Sequence, residues 1–293
     1  MNDKPIFYDN LVECLKHQQN RTPRTSVEPE ILKEFFNSKS HQTTHRTETK
    51  KQAAAPPQSP PQTPRRTQPA QTDISAESVF APIPTPDFSQ HKPPTPCAVN
   101  ELTLDELRIM TLNCRNCELS VKRNNVVFGE GKPNAEVLFI GEAPGADEDA
   151  QGHPFVGPAG QLLNRMITAM QLRREDVYLA NIVKCRPPGN RVPFPSEANS
   201  CLPYLHRQIE LINPKVIVLL GGIPLLHILN LTGIASQRGQ WGEYNGIPVM
   251  PTFHPSYVLK VTGSSNERSI KGQVWADLQA VMQLIGKSLP KKS

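Results

Sequence analysis

The sequence predicts an α/β protein: a three-layer αβα domain built on a central, mostly parallel four-stranded sheet and preceded by a disordered N-terminal tail. Three observations carry this reading. From about residue 101 onward, short apolar runs alternate with helix-length amphipathic segments, the pattern of a parallel sheet covered on both faces. The runs are apolar throughout rather than alternating with polar residues, as expected of strands buried on both sides. The first hundred residues differ in kind. They hold half of the chain's 30 prolines, interleaved with Gln, Thr and Ser, and residues 52–96 show no apolar periodicity. Such a segment buries too little surface to offset its ordering entropy. The expected organisation is therefore a Pro/Gln/Thr-rich tail over 1–100 and a folded domain over 101–293.

Each element has its own warrant. Within the tail, Ile6, Phe7, Leu11 and Leu15 fall near helical spacing and suggest a short amphipathic helix near 6–18. A helix this short is marginal alone in water, and as a docking peptide it would recruit a protein partner. Residues 101–112 read as a helix, and 136–140 as a buried strand ending in Gly141. Residues 157–172 place Leu162, Leu163, Met166, Ile167 and Met170 on one helical face. Residues 177–183 form the second strand, 197–212 a helix, 216–220 the third strand and 223–231 a helix. A hairpin turn at Tyr244-Asn245-Gly246 feeds the fourth strand at 249–253, and a helix over 268–285 closes the domain.

Charge and composition bound the function. The formal net charge of +5 permits a polyanionic partner without requiring one. No apolar run reaches membrane-spanning length and the N-terminus lacks a charged-then-apolar signal, so a cytoplasmic protein with no membrane association is expected. In a reducing compartment, clustered cysteines serve metals more often than disulfides. Cys114, Cys117, Cys185 and Cys201 have the spacing C-x2-C-x67-C-x15-C, which suggests thiolates gathered from distant parts of one domain around a single inorganic centre. Cys14 and Cys97 lie in the tail and are expected to be free.

In parallel sheets, ligands bind beyond the carboxyl ends of the strands. After the first strand comes GEAPG at 141–145, then Asp147, Glu148 and Asp149, then GHPFVG at 152–157. Gly and Pro at this density fix a tight loop that a ligand can approach closely. Its carboxylates and aromatic suit a neutral planar ligand and an activated water rather than phosphate. Asn181 ends the second strand, and its amide offers a donor and an acceptor to a pyrimidine edge, although a turn or cap role is equally compatible with it alone. His254, in HPSY at 254–257, could stabilise charge on a leaving group, or serve structure alone.

Together, GEAPGADEDAQGHPFVGPAGQLL at 141–163, NIVKCRPPGNR at 181–191, HPSY at 254–257 and the four ordered cysteines closely resemble the family 4 uracil-DNA glycosylases, the iron–sulfur branch of that superfamily. The resemblance covers about residues 105–285. It implies a [4Fe–4S] cluster on Cys114, Cys117, Cys185 and Cys201, with a structural zinc site as the competing occupant. It implies a deoxyuridine flipped out of single- or double-stranded DNA and cleaved at its N-glycosidic bond, leaving an abasic site for base-excision repair. Phe155 would stack on the uracil and Asn181 would read its pairing edge, with Gly141 and Ala143 beside them. His254 would stabilise charge at uracil O2. Other branches use an Asp where this chain has Ala143, so the water falls to another group: Glu142 is the first candidate and Glu148 the second.

Pro255-Ser256-Tyr257-Val258-Leu259 would wedge into the emptied stack. Lys184, Arg186, Arg191, Lys260 and Lys271 would contact phosphates, with Ser256 and Tyr257 also on the DNA. A covalent branch of the superfamily uses a His in a basic insertion. Residues 186–196 are short and contain none, which favours a turnover enzyme. The expected state is a monomer. The competing function is a non-catalytic iron–sulfur nucleic-acid-binding or replication accessory protein on the same scaffold.

Overall fold

A computed structural model of the protein describes residues 99–289. The expected tail, with its helix near 6–18, lies outside the described residues. The chain runs α1 (Leu104–Leu112), α2 (Leu119–Lys122), β1 (Glu130–Gly131), β2 (Val137–Gly141), α3 (Ala146–Gln151), α4 (Pro158–Ala169), β3 (Tyr178–Asn181), α5 (Pro195–Ile212), β4 (Val216–Leu220), α6 (Gly222–Leu229), α7 (Ile234–Gln237), β5 (Gly242–Tyr244), β6 (Ile247–Thr252), α8 (Pro255–Lys260) and α9 (Glu267–Leu284), with 3-10 turns at Arg174–Asp176 and Pro188–Asn190.

The sheet has six strands in the order β1-β3-β2-β4-β6-β5. The four inner strands pair in parallel, and β1 and β5 add antiparallel edges. The expected four-stranded sheet is thus the inner part of a larger one. Each missing edge has a physical reason. β1 has two residues and β5 three, and neither buries a full apolar side. They carry no periodicity to read. The 244–246 turn does join two strands, although the sequence marks only the second.

Alternate residues of the inner strands point to opposite faces. On one face Phe139, Leu179, Val218 and Met250 pack with Leu163, Met166 and Ile167 of α4 and Trp275, Leu278 and Met282 of α9. On the other, Leu138, Ile140, Ile217 and Leu219 pack with Tyr204, Leu205 and Ile209 of α5 and with Leu107. This is the three-layer arrangement. Cys185 and Cys201 belong to the second core, with Cys114 and Cys117 packed against it.

Caps set several helix starts. Thr103 caps α1 and Glu106 returns the bond to its backbone N–H, so the helix begins three residues later than expected. The expected wedge at 255–259 is helix α8, with Pro255 at its first position and His254 as its cap. Val258 is buried in the core and Leu259 packs against it, so neither reaches DNA as placed. Tyr257 remains exposed.

One buried ion pair ties the last helix to β6 and α7. Asp277 is 1% exposed, pairs with Arg238, and accepts from the Thr252 hydroxyl at 2.6 Å. Burial pushes its carboxyl up, opposed by these partners. Asp277→Ala should lower unfolding stability by about 3–5 kcal/mol, because it strands the Arg238 charge. A shift below about 1 kcal/mol in chemical denaturation would contradict that account.

Candidate active site

The site begins where the β2–β3 ladder ends. Gly141 stands opposite Asn181 as the last registered pair, and Ile182 N–H and Val183 N–H extend the pairing to the Gly141 and Glu142 carbonyls. A β-carbon at Gly141 would lie 2.5 Å from Asn181 Oδ1 and 2.6 Å from Phe155 Cζ. Only glycine allows the amide and the ring to converge there. Asn181 is buried, and its Oδ1 has no hydrogen-bond partner among the described residues. An orphaned buried acceptor costs about 1–3 kcal/mol, a debt that a ligand N–H can remove.

Phe155 is held under constraint. Its φ is +52°, a left-handed conformation that is uncommon for a bulky residue. Gly160 makes room, since a β-carbon there would sit 1.9 Å from the Phe155 carbonyl oxygen. Arg174 grips the same turn. It donates to the Phe155 carbonyl at 3.1 Å, to the Pro154 carbonyl and to Asn164 Oδ1 at 2.9 Å. Arg174 was not singled out from sequence. It sits in a polar 3-10 turn that carries no motif, and only the tertiary structure brings it to Phe155.

Glu148 does not stand free to activate water. Its carboxylate accepts from Gly145 N–H at 3.0 Å and from Val156 and Gly157 N–H, both at 2.9 Å. It clamps the two halves of the first loop together. Asp149, buried beside it, accepts from the backbone and side chain of Asn124 and ties the loop to the segment before β1. Glu142 differs. It lines the pocket, and among the described residues its carboxylate has no hydrogen-bond partner. Burial raises its pKa above the usual carboxylate range, and Lys260 opposes the shift. Ala143 lines the pocket too and offers no carboxylate.

His254 caps α8. Its Nδ1 accepts from the Ser256 N–H at 3.1 Å and lies 2.8 Å from the Ser256 hydroxyl. An accepting Nδ1 places the neutral ring's proton on Nε2. Burial lowers the pKa to about 4, with Glu148 opposing and Lys260 reinforcing the shift. The imidazole is therefore neutral at physiological pH. Its ring centroid lies 6.3 Å from that of Phe155.

These groups line one cavity of about 660 Å³ at the carboxyl ends of the parallel strands. Glu142, Ala143, Phe155, Asn181 and His254 meet there, with Ser256, Tyr257 and Arg191 on its walls. β2 is flanked by β3 on one side and β4 on the other, so successive connections diverge at this point. Such switch points open crevices.

The expected phosphate contacts divide. Lys260 is exposed, and Arg186 is half-buried with its Nε donating to Asn190 Oδ1 at 2.8 Å. Arg191 lines the pocket but is not a free cation, because it forms a bidentate pair with Glu197 at 2.7 and 2.8 Å. Burial pushes Glu197 up, but Arg191 and the Phe194 N–H hold its pKa below the ordinary value. Lys271 is buried and pairs with Glu267 at 2.7 Å. Lys184 is 1% exposed; its ammonium donates to the Asn181 carbonyl at 3.0 Å and to Gln208. Neither lysine reaches DNA from these positions. Exposed and internal lysines look alike in sequence.

The four expected cysteines come to one region. Burial raises the Cys117 thiol to about 11 and also raises Cys185 and Cys201, and repulsion from neighbouring thiolates adds to each of these three. Burial lowers the Lys184 ammonium to about 8, while the Cys201 and Cys185 thiolates oppose that shift. Arg123 donates to Cys185 Sγ at 3.1 Å and to the Cys114 carbonyl at 2.7 Å, and the Lys184 N–H points to Cys201 Sγ at 3.3 Å. Among the described residues no three His, Cys, Asp or Glu side chains lie close enough to hold one metal ion together.

Comparison with known proteins places this geometry. Residues 128–279 match the family model described as the uracil DNA glycosylase superfamily. The type-4 uracil-DNA glycosylase of Archaeoglobus fulgidus is 40% identical over 199 residues, covering 64% of this chain and 96% of that protein. That of Thermotoga maritima is 44% identical over 177 residues, covering 59% of this chain and 90% of that protein. A type-5 uracil-DNA glycosylase of Pyrobaculum aerophilum is 31% identical over 151 residues, covering 45% of this chain and 66% of that protein.

The state of His254 is measurable. Its folded pKa of about 4 lies below the ordinary 6.5, so the unfolded chain binds a proton between those values and the fold does not. The stability this group contributes is complete above pH 6.5 and is lost as pH falls towards 4. Nitrogen-15 NMR should show a neutral ring protonated on Nε2 at pH 7 and a titration below pH 5. A midpoint near 6.5 would contradict the buried, capping geometry.

Proposed function

The chain belongs to the uracil DNA glycosylase superfamily, in its type-4 branch, and we propose that its pocket hydrolyses the N-glycosidic bond of deoxyuridine in DNA, releasing uracil and leaving an abasic site. The observation that carries the reading is the buried, unpartnered Asn181 Oδ1 beside the Phe155 ring. Uracil N3–H supplies the missing donor, and the Asn181 amide N–H donates to uracil O4. Cytosine has an acceptor at N3 and an amino donor at position 4, so it mismatches both contacts. Discrimination of this type is large, because the wrong base leaves buried polar groups unpaired.

The base enters flipped from the strand and stacks on Phe155, which Arg174 and Gly160 fix in place. Arg174 acts as a positioning residue. As the C1′–N1 bond breaks, its electrons move into the ring and charge collects at O2. The His254 Nε2–H donates to that oxygen, and a neutral donor does so without transferring its proton. Water attacks C1′, and Glu142 takes the proton the water loses. Its partial burial raises its basicity, and Lys260 opposes that shift.

Cys114, Cys117, Cys185 and Cys201 would hold a [4Fe–4S] cluster, which supplies a redox-capable cross-link but no step of the hydrolysis. The cluster would bind Cys185 at the end of the segment that begins with Asn181, so that loading steadies the base-reading amide. Arg123 and Lys184 offset the negative charge of the thiolates. Thiols kept free for a cluster fit a reducing, cytoplasmic compartment. DNA is the partner of the site.

Three measurements test the proposal. Uracil-containing single-stranded DNA, incubated with the protein and treated with alkali, should break at uracil. Glu142→Gln should slow the single-turnover step by about 10²–10⁴-fold and remove an acid limb that lies above the ordinary carboxylate range. Full activity in this variant would remove Glu142 from its role, and no cleavage by the unaltered protein would favour a binding protein over an enzyme. The purified protein should be brown and contain about four iron atoms per chain, with Cys185→Ala losing the visible absorbance. A colourless protein loaded with zinc would overturn the cluster assignment.

A further inference from the structure

Among the exposed apolar residues, Phe194 is set apart by what holds it. The ring is 53% exposed, yet its surroundings are rigid. Its backbone N–H donates to Glu197 Oε2 at 2.7 Å at the start of α5. The Arg191 guanidinium stacks on it, 3.8 Å from the ring centroid. That guanidinium is fixed by the bidentate pair with buried Glu197, and Arg191 itself lines the catalytic pocket. An aromatic face is thus presented at the rim of the pocket at little cost in side-chain entropy. Val192, two residues earlier, is also exposed.

The position relative to the sheet matters. Phe194 follows β3, whereas Tyr257, the exposed aromatic on the pocket wall, follows β6. Those strands are separated by β2 and β4. At about 4.8 Å per strand the two loops rise roughly 14 Å apart. A nucleotide turned into the pocket leaves a neighbouring base on each side, and each such base exposes a π-face. Every base has that face, so an aromatic platform holds a strand without reading its sequence. Arg191 lies under the ring rather than on a phosphate, which gives this arginine a function the bare sequence did not suggest.

We propose that Phe194, backed by Arg191 and Glu197, is a stacking platform for a base adjacent to the flipped nucleotide, on the side of the pocket opposite Tyr257. The proposal rests on the reading of the pocket as the uracil site. It adds a single-strand binding surface that this reading does not require.

The test measures Kd for single-stranded oligonucleotides carrying one non-hydrolysable 2′-fluorodeoxyuridine. Stacking on one base is worth ~1–3 kcal/mol, or roughly 5- to 150-fold in affinity. Phe194→Ala should raise Kd within that range, and Phe194→Trp should restore it while Phe194→Leu does not. Replacing the neighbouring base on one side with an abasic residue should weaken the unaltered protein by a similar factor and leave Phe194→Ala nearly unaffected. Ile109→Ala, a change at a more exposed apolar residue on α1, should alter nothing. An unchanged Kd for Phe194→Ala, full affinity in Phe194→Leu, or equal losses from abasic substitution in both proteins would each overturn the platform. Failure of the pocket reading shows differently, as absence of uracil release by the unaltered protein on ordinary substrate.

Discussion

The end of the β2–β3 ladder is the constraint on which the rest of the site depends. Parallel pairing places Gly141 opposite Asn181, and the absence of a side chain at Gly141 lets the Asn181 amide and the Phe155 ring share one space. Everything nearby serves to keep that space open and shaped. Glu148 closes the first loop by accepting three backbone N–H groups. Arg174 and Gly160 hold Phe155 in a backbone conformation it would not otherwise adopt. Lys184 supports Asn181 from below through its carbonyl. The Phe155 backbone strain and the unpartnered Asn181 acceptor are both energetic costs, and a ligand N–H would relieve the second of them.

Burial assigns the charge states. It keeps His254 neutral, raises the Glu142 carboxyl, and raises the Cys117, Cys185 and Cys201 thiols. Two carboxylates six residues apart in one loop diverge in role because their partners differ. Glu148 is saturated with backbone donors, while Glu142 faces the pocket with no hydrogen-bond partner among the described residues. The charge on the thiolate side is offset by the Arg123 side chain and the buried Lys184 ammonium. A cluster bound there would complete a compensated interior next to the strand end that carries Asn181.

The loop after β3 serves both sides. It begins at Asn181, carries Cys185, passes Arg191 on the pocket wall and ends at Phe194, where α5 starts and leads to Cys201. The proposed metal centre, the pocket and the proposed strand-binding surface therefore share a single short segment. Its rigidity comes from Glu197, whose buried carboxylate holds Arg191 and the Phe194 backbone together.

The sequence by itself determined the layers, the four inner strands, the loops that carry the site and the side chains that meet in the pocket. The layers and strands follow from local periodicity and the loops from Gly, Pro and polar residues at strand ends, while the choice of the side chains that meet in the pocket follows from the resemblance of their motifs to a known family. It did not reveal the edge strands, which are too short and too exposed to leave a pattern. Nor could it separate Glu142 from Glu148, distinguish buried Lys184 and Lys271 from exposed Lys260, or show that Arg191 lies beneath Phe194. Arg174 gave no signal at all. The tertiary structure decided these matters because each depends on which groups from distant segments reach a given atom, and on how much water remains beside it.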